Sequence, residues 1–343
     1  MTQAVDAGKQ RFQRYREMFY NLDPSTLAVD LRSMMSADCA IRLAHPLGDC
    51  TGPASFHEDV IAPLLHAIPD LERRDYIVIG GEQQDGVWIG CGGYYTGVFE
   101  RPWLDIPPTR HLVAIRFMEF FRLVDGMIQT ARLLWDIPSL MMQADAWPMG
   151  PSLGVDHFAP APATQDGIVQ SANATTSAAS LKLVEDMIAG LERFADGGPE
   201  AMDLTQFWHP KMNWYGPAGI GSNRRLSGFR NWHQIPFLSA IPDRRANIDA
   251  PGYDCYFGDG DYVAYCGWPA ITATVTGDGW LGIAPAGQRI TMASLDFWRC
   301  ENGVLRENWV LIDLLDIWRQ LGVDVMKRMR EVTFARQGVD FQT

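Results

Sequence analysis

Two carboxylates, Glu119 and Asp296, occupy the same position in two copies of one segment. The step from 119 to 296 is 177 residues, the same as from 106 to 283 and from 143 to 320. Alternate residues of a strand share a face, so Glu119 is expected beside Phe117 and Phe121, and Asp296 beside Ser294 and Trp298. A carboxyl group taken out of water and left unpaired has its pKa raised, which brings a general acid or base toward neutral pH. Such a group suits proton transfer at a carbon next to a carbonyl. The opposing reading is an ion pair. Arg306 beside Asp296, or Arg116 or Arg132 near Glu119, would hold the acid ionised and inert.

Histidine supplies the second candidates. His45 ends a short strand before Pro46, and His111 lies early in the long hairpin at the parity of Glu119. Either could act as an acid/base partner at a pocket mouth, or be an ordinary surface residue. Tyr94 is a further wall candidate. The seven histidines form no H-x-H or H-E-x-x-H, Gly258-Asp259-Gly260 reads as a hairpin turn, and no Gly-x-Ser-x-Gly elbow occurs. The expectation is chemistry without cofactor or metal.

The elements that must position these acids are legible in the duplicated segment. Ile106–Gln143 and Ile283–Gln320 each hold a long strand, a turn (Asp125-Gly126, Asn302-Gly303), a second strand and an aspartate (Asp136, Asp313) opening a short helix. Asp-Gly and Asn-Gly are strong hairpin turns because both residues must tolerate positive φ, and an aspartate before a helix is a natural N-cap. The phrase Ala-Ile-Pro-Asp recurs at 67–70 and 240–243, so the duplication extends upstream. Helices are expected over 8–22, from Pro24, from Gly52 to Leu65, over 180–194, near 199–208 and from Gly228 to Ala240. Strands are expected at 38–44, 74–80, 86–99 and 212–215. Residues 149–177, rich in Pro, Gly, Ala and Ser, read as an extended linker. The division is therefore 1–148, the linker 149–177, 178–325, and a C-terminal helix and tail over 326–343.

At 343 residues the chain suits two domains, and 47% hydrophobic with 20% charged residues makes it globular. A net charge of −12 without a basic cluster argues against nucleic acid or anionic membrane as partner. No apolar run approaches a membrane span. Six cysteines without C-x-x-C, and an N-terminus without a signal-peptide core, point to the cytoplasm.

Pro69-Asp70, Ile106-Pro107-Pro108-Thr109, Phe120-Phe121-Arg122 with Asp125-Gly126-Met127-Ile128, Trp135-Asp136 and Gln320-Leu321-Gly322 resemble the SnoaL-like polyketide cyclases of the nuclear-transport-factor-2-like (NTF2-like) superfamily. The resemblance covers both halves and implies two tandem α+β domains, each a strongly curved antiparallel sheet closed by helices into a conical pocket. It also implies pairing through the convex sheet faces, here within one chain as a pseudo-dimer, with further self-association left open. The family's catalytic aspartate falls on Leu133 and Val310, so a polyketide cyclase in the strict sense is not expected. Its histidine falls on Glu119 and Asp296, on the face the family turns into its pocket. On the neighbouring strand that face carries Gln129, Leu133 and Trp135, and in the second copy Arg306, Asn308 and Val310.

Eight of twelve tryptophans lie beyond residue 200, and Trp214, Trp232, Trp298 and Trp309 border the second pocket in this fold. Arg122 and Arg299 lie on the other face and are expected at the interdomain contact. The leading expectation is a cofactor-independent lyase, dehydratase or isomerase acting on an apolar, aromatic small molecule. The alternatives are a non-catalytic binding protein, or one catalytic copy beside a degenerate structural one.

Overall fold

A computed structural model describes residues 3–83, 85–246, 254–277, 279–283 and 287–337. The final six residues of the expected tail, and 284–286 of the second repeat copy, lie outside the described residues. The first half contains strands β1 (Met35–Leu43), β2 (Cys50–Thr51), β3 (Glu72–Gln83), β4 (Gly86–Val98), β5 (Leu112–Val124) and β6 (Met127–Trp135). The second contains β7 (Trp208–Tyr215), β8 (Asn223–Arg224), β9 (Arg245–Ala246), β10 (Cys255–Asp259), β11 (Tyr262–Thr274), β12 (Arg289–Glu301) and β13 (Val304–Ile312).

The first sheet runs β2-β1-β6-β5-β4-β3, and the second runs β8-β7-β13-β12-β11-β10, with β9 added on β11. The order is the same, including the one parallel pair in each, β1 with β6 and β7 with β13. Two NTF2-like α+β domains therefore follow one another in the chain. The helices precede the long strands in both. Gln3–Tyr20 and Leu27–Met34 serve the first domain, and Ala174–Glu192 and Phe194–Ala201 the second. A further helical run in each passes through a π turn, Phe56–Ile61 or Arg230–Gln234.

The repeated polar residues staple these elements. Asp125-Gly126 and Asn302-Gly303 turn the two long hairpins with positive φ at both positions. Asp70, from the first Ala-Ile-Pro-Asp, accepts Val98 N at 2.7 Å, and Asp243 from the second accepts Thr274 N at 2.8 Å. Gln143 exchanges two hydrogen bonds with the Ala114 backbone, and Gln320 does the same with Thr291. Asp136 and Asp313 cap the helices Ile137–Gln143 and Leu314–Gln320, accepting Ser139 N and Asp316 N.

The second oxygen of each cap crosses to the other domain. Asp136 Oδ2 accepts Ala218 N at 3.1 Å, and Asp313 Oδ2 accepts His45 N at 2.8 Å. Ala218 and His45 sit 173 residues apart, the spacing of the two Ala-Ile-Pro-Asp phrases, in the loops after β7 and β1. The bonds are thus a crossed, pseudo-twofold pair.

Between the sheets, Ile77, Ile79, Trp88, Met118 and Phe120 pack against Phe257, Tyr262, Leu295, Phe297 and Trp309 in one buried cluster. Phe120 and Phe297, at equivalent positions, stack with centroids 5.2 Å apart. Gly81 gives the Phe257 ring room, since a Cβ there would overlap it. The segment after residue 149 runs through this contact. Gly154 N donates to Ile220 O, Trp309 Nε1 donates to Pro160 O, and Val169 N donates to Val78 O.

Arg122 and Arg299 do not serve the contact as expected. Arg122 reaches Thr130 and Asp85, and Arg299 reaches Glu301 and Glu307, each within its own sheet. Bonds across the domains come instead from Arg116 to the carbonyls of Tyr215 and Gly216, Arg132 to Asp254, Arg42 to Trp268 O, and Lys9 to Asp259.

Candidate functional site

Both acids lie on the concave face of their own sheet, but in different surroundings. Glu119 is fully buried. Its Oε2 meets Arg73 Nη1 at 2.5 Å, and its Oε1 accepts Trp135 Nε1 at 2.8 Å and Tyr95 OH at 3.2 Å. Arg73 also binds Asp75 through Nε and Nη2, and its guanidinium lies 4.1 Å over the Phe117 ring. The opening helix supplies Phe12, Tyr15 and Phe19, which pack on Phe121 and Tyr95. The first cone is filled by its own side chains.

That arrangement corrects the first-copy candidates. Glu119 is held by a buried arginine, and Phe117, Phe121 and Trp135 are buried in the core around it. The arginine is Arg73, whereas Arg116 and Arg132 bind the second domain. Tyr94 points the other way, donating to Ala159 O and packing on Tyr76 and Phe158. His111 is an exposed turn residue whose N–H donates to Thr109 Oγ. His45 sits at the domain contact, where Asp313 takes its backbone N–H; burial and then the Arg319 charge lower its pKa.

Among the described ion pairs of the second domain none includes Asp296. Ser294 Oγ donates to its Oδ2 at 2.9 Å, and Asn308 Nδ2 approaches its Oδ1 at 3.5 Å while donating at 3.0 Å to Phe297 O. Burial pushes its carboxyl up from 3.8 to about 7, against the pull of Ser294, Asn308 and the more remote Arg116 charge. Arg306 is not its partner and does not belong to the site, since it is held by Lys211 O and Glu301.

Strand register explains the difference. Glu119 pairs with Cys91 and Leu133, and Asp296 with Tyr265 and Val310. Tyr95 of β4 pairs with Ile115 and Arg73, and the matching Ile271 of β11 pairs with Met292 and Ala246. Trp135 pairs with Phe117, and Ile312 with Ser294. All three groups that hold Glu119, Arg73, Tyr95 and Trp135, are thus replaced, by Ala246, Ile271 and Ile312.

The rest of that face is aromatic. Trp214 pairs with Asn308 and is buried, and the His233 ring lies on it at 4.1 Å and 14°. Trp298 is 5% exposed with its indole N–H unpartnered. Trp232 is a half-exposed rim residue. Trp309 is corrected, because its parity turns it into the interdomain cluster.

Residues 190–321 match the family model described as SnoaL-like polyketide cyclase. The second domain is a SnoaL-like domain. No curated protein matches the chain. Among solved structures, AclR from Streptomyces galilaeus is 16% identical, covering 43% of this chain and 86% of its own at a TM-score of 0.36. IdmH from Streptomyces antibioticus is 16% identical over 40% and 98%, with a TM-score of 0.34. An NTF2-like protein from Burkholderia xenovorans is 13% identical over 42% and 97%, with a TM-score of 0.32.

The second domain also holds aromatic side chains near Trp214 and Asp296 that the sequence pattern did not single out. His233 and Trp280 come from a π turn and a short 3₁₀ turn, which have no simple period to read. Tyr265 would have been found by pairing β11 with β12. Among the described residues no group of three His, Cys, Asp or Glu side chains is placed to hold a metal ion, and no helix is long and apolar enough to cross a membrane.

Proposed function

We propose that the SnoaL-like second domain is a cofactor-independent acid/base enzyme, acting on an apolar aromatic small molecule, with Asp296 as the group that moves the proton. The first domain serves as its structural partner. The observation that carries this reading is the loss, around Asp296, of the arginine, tyrosine and tryptophan that hold Glu119. A carboxyl group titrating near 7 is half protonated at neutral pH, so it can take a proton from carbon and return it. Ser294 and Asn308 orient it. Aldol or retro-aldol cleavage, dehydration and isomerisation all share the proton transfer next to a carbonyl, and each fits this one group.

The test is hydrogen exchange. Aryl ketones with enolisable α-hydrogens are incubated with the protein in deuterated buffer, and α-deuteration is followed by NMR. Positioned general acid/base groups contribute on the order of 10²–10⁴-fold, so Asp296→Asn should lose at least about a hundredfold in exchange rate. The folded fraction of Glu119→Gln should keep it. Full exchange in Asp296→Asn, or loss only in Glu119→Gln, would defeat the proposal.

A further inference from the structure

The crossed aspartate caps mark two equivalent grooves, one at each end of the domain contact. The first, of ≈ 390 Å³, lies at Asp136 and Ala218, with Tyr94, Arg116 and Ser222 in its walls. The second, of ≈ 490 Å³, lies at Asp313 and His45, with Trp268, Ala293 and Asp49 in its walls. The walls correspond residue for residue. Asp136 N and Asp313 N donate to the carbonyls of Arg116 and Ala293. Gly93 and Gly267 pair with Phe117 and Ser294, so the residues that follow them, Tyr94 and Trp268, are counterparts. Ser222 and Asp49 each precede the outer strand of their sheet, β8 or β2.

In the first groove the chain supplies its own occupant. Val155 forms an antiparallel bridge with Ser222, its N–H donating to Ser222 O at 3.0 Å and its carbonyl accepting Ser222 N at 2.8 Å. Three residues further on, Phe158 sets its ring edge-on to Tyr94 with centroids 5.9 Å apart, and Tyr94 OH donates to Ala159 O at 3.0 Å. The groove thus holds an extended segment by its backbone at one point and by an aromatic side chain at the next, the two elements of strand addition.

The second groove has the same two elements. Ser222 is buried beneath its segment, whereas Asp49 is exposed, and among the described residues none pairs with Asp49 as Val155 pairs with Ser222. The route of the chain explains the difference. The first groove lies on the way from one domain to the next. The chain leaving the second domain instead enters the helix Val325–Gln337, whose Arg330 and Arg336 reach Asp105 and Asp145 O of the first domain. In the second groove Trp268 is half-buried, Arg42 Nη1 donates to Trp268 O at 3.2 Å, and Arg42 Nε lies 3.8 Å from the Asp49 carboxylate. The aromatic wall is therefore fixed beside the strand edge. Arg42 and Arg319 line this groove together with Asp49 and Asp316, so both signs of charge are present and neither selects an occupant.

We propose that the groove at Asp313 and His45 docks an extended peptide of a partner protein, which pairs with the backbone of Asp49 and lays an aromatic side chain, three residues further on, against Trp268. The template is the chain's own segment in the equivalent groove. An outer strand edge offers unpaired N–H and C=O groups to any chain that can extend along it, and the aromatic residue at the fixed spacing supplies the selection. The inference is independent of the chemistry at Asp296.

The probe is a fluorescein-labelled peptide with the sequence of residues 152–160, titrated with the full chain and followed by anisotropy. The chain's own segment keeps the first groove, because an attached segment competes at a high effective concentration, so free peptide reports on the second. Wild type should bind it saturably. An N-methyl group on Val155 of the peptide removes the donor to the strand edge and should weaken binding by at least about fivefold. Alanine in place of Phe158 in the peptide, and Trp268→Ala in the protein, should each weaken it roughly tenfold. Trp268 also packs on the interdomain cluster, so the two peptide changes repeat the test on an unaltered protein. The proposal is overturned if the peptide does not bind, or if binding is indifferent to both peptide changes. Binding that survives Trp268→Ala but is lost with either peptide change would place the peptide in the first groove, in exchange for the chain's own segment, and would also overturn it. Sedimentation velocity covers the remaining occupant: a dimer of full chains that the peptide disperses would give the groove to a second copy and refute the partner named here.

Discussion

Replacing Asp296 with asparagine should make the protein more stable at alkaline pH and leave it unchanged in acid. The reason lies in the native pKa of about 7 against an ordinary 3.8. A carboxyl group whose pKa is raised by folding binds its proton more tightly in the native state. Its proton-linked stabilisation is complete below pH 3.8 and is lost as pH rises through 7. Above pH 7 the native state holds an ionised carboxylate in a poorly solvated place. At about 1.4 kcal/mol per tenfold change in proton affinity, the interval amounts to about 4 kcal/mol. Asparagine never ionises, and its amide oxygen can still accept from Ser294 Oγ. Urea unfolding of both proteins at pH 5.0 and pH 8.5 should therefore show the variant gaining about 2–3 kcal/mol on the wild type between the lower and the higher pH. Subtracting wild type from variant cancels the other titrating groups, Asp313 and Asp136 among them. A variant that is less stable by the same amount at both pH values would show that Asp296 is paired and ionised, and the argument for its chemistry would go with it.

Two further perturbations probe the frame around the site. Gly81→Ala puts a methyl group into the Phe257 ring across the domain contact and should cost about 1–3 kcal/mol, read as a lower urea midpoint; an unchanged midpoint would mean the sheets are not held face to face there. Asp313→Ala removes both the cap of the helix Leu314–Gln320 and the bond to His45 N. It should cost about 1–2 kcal/mol at pH 5 and less at pH 8.5, because burial first raises the Asp313 pKa to about 7 and alanine has no charge to desolvate. An equal cost at both pH values would contradict that.

The frame was legible because its determinants are local and repeated. Asp125-Gly126 and Asn302-Gly303 fix the hairpins, and the two Ala-Ile-Pro-Asp phrases and the glutamines Gln143 and Gln320 mark ends of elements. Strand parity placed Asp296 with Ser294, Trp298 and Asn308 on one face. What parity could not supply was the partner arriving from a distant strand. Arg73 lies 46 residues from Glu119, on a strand whose register shifts between Asp75 and Ile77. The same limit hid His233, which comes from a π turn. Arg116 was legible as a nearby cation and illegible as an interdomain one, because its partners are backbone carbonyls that carry no side-chain signal. Trp309 was assigned to the pocket by its element rather than by its parity, and one residue of strand reverses the face.

The crossed aspartate caps bear on how the two pockets came to differ. In a homodimer built on this contact, both protomers are translated from one gene, so any change that fills one cone fills the other. Joining the copies end to end removes that constraint while Asp136 and Asp313 hold the two domains by a crossed, pseudo-symmetric clasp. Selection can then act on the copies separately. One can accumulate Arg73, Tyr95 and Trp135 and become a rigid abutment, while the other keeps an unneutralised acid that a symmetric pair would have to carry twice.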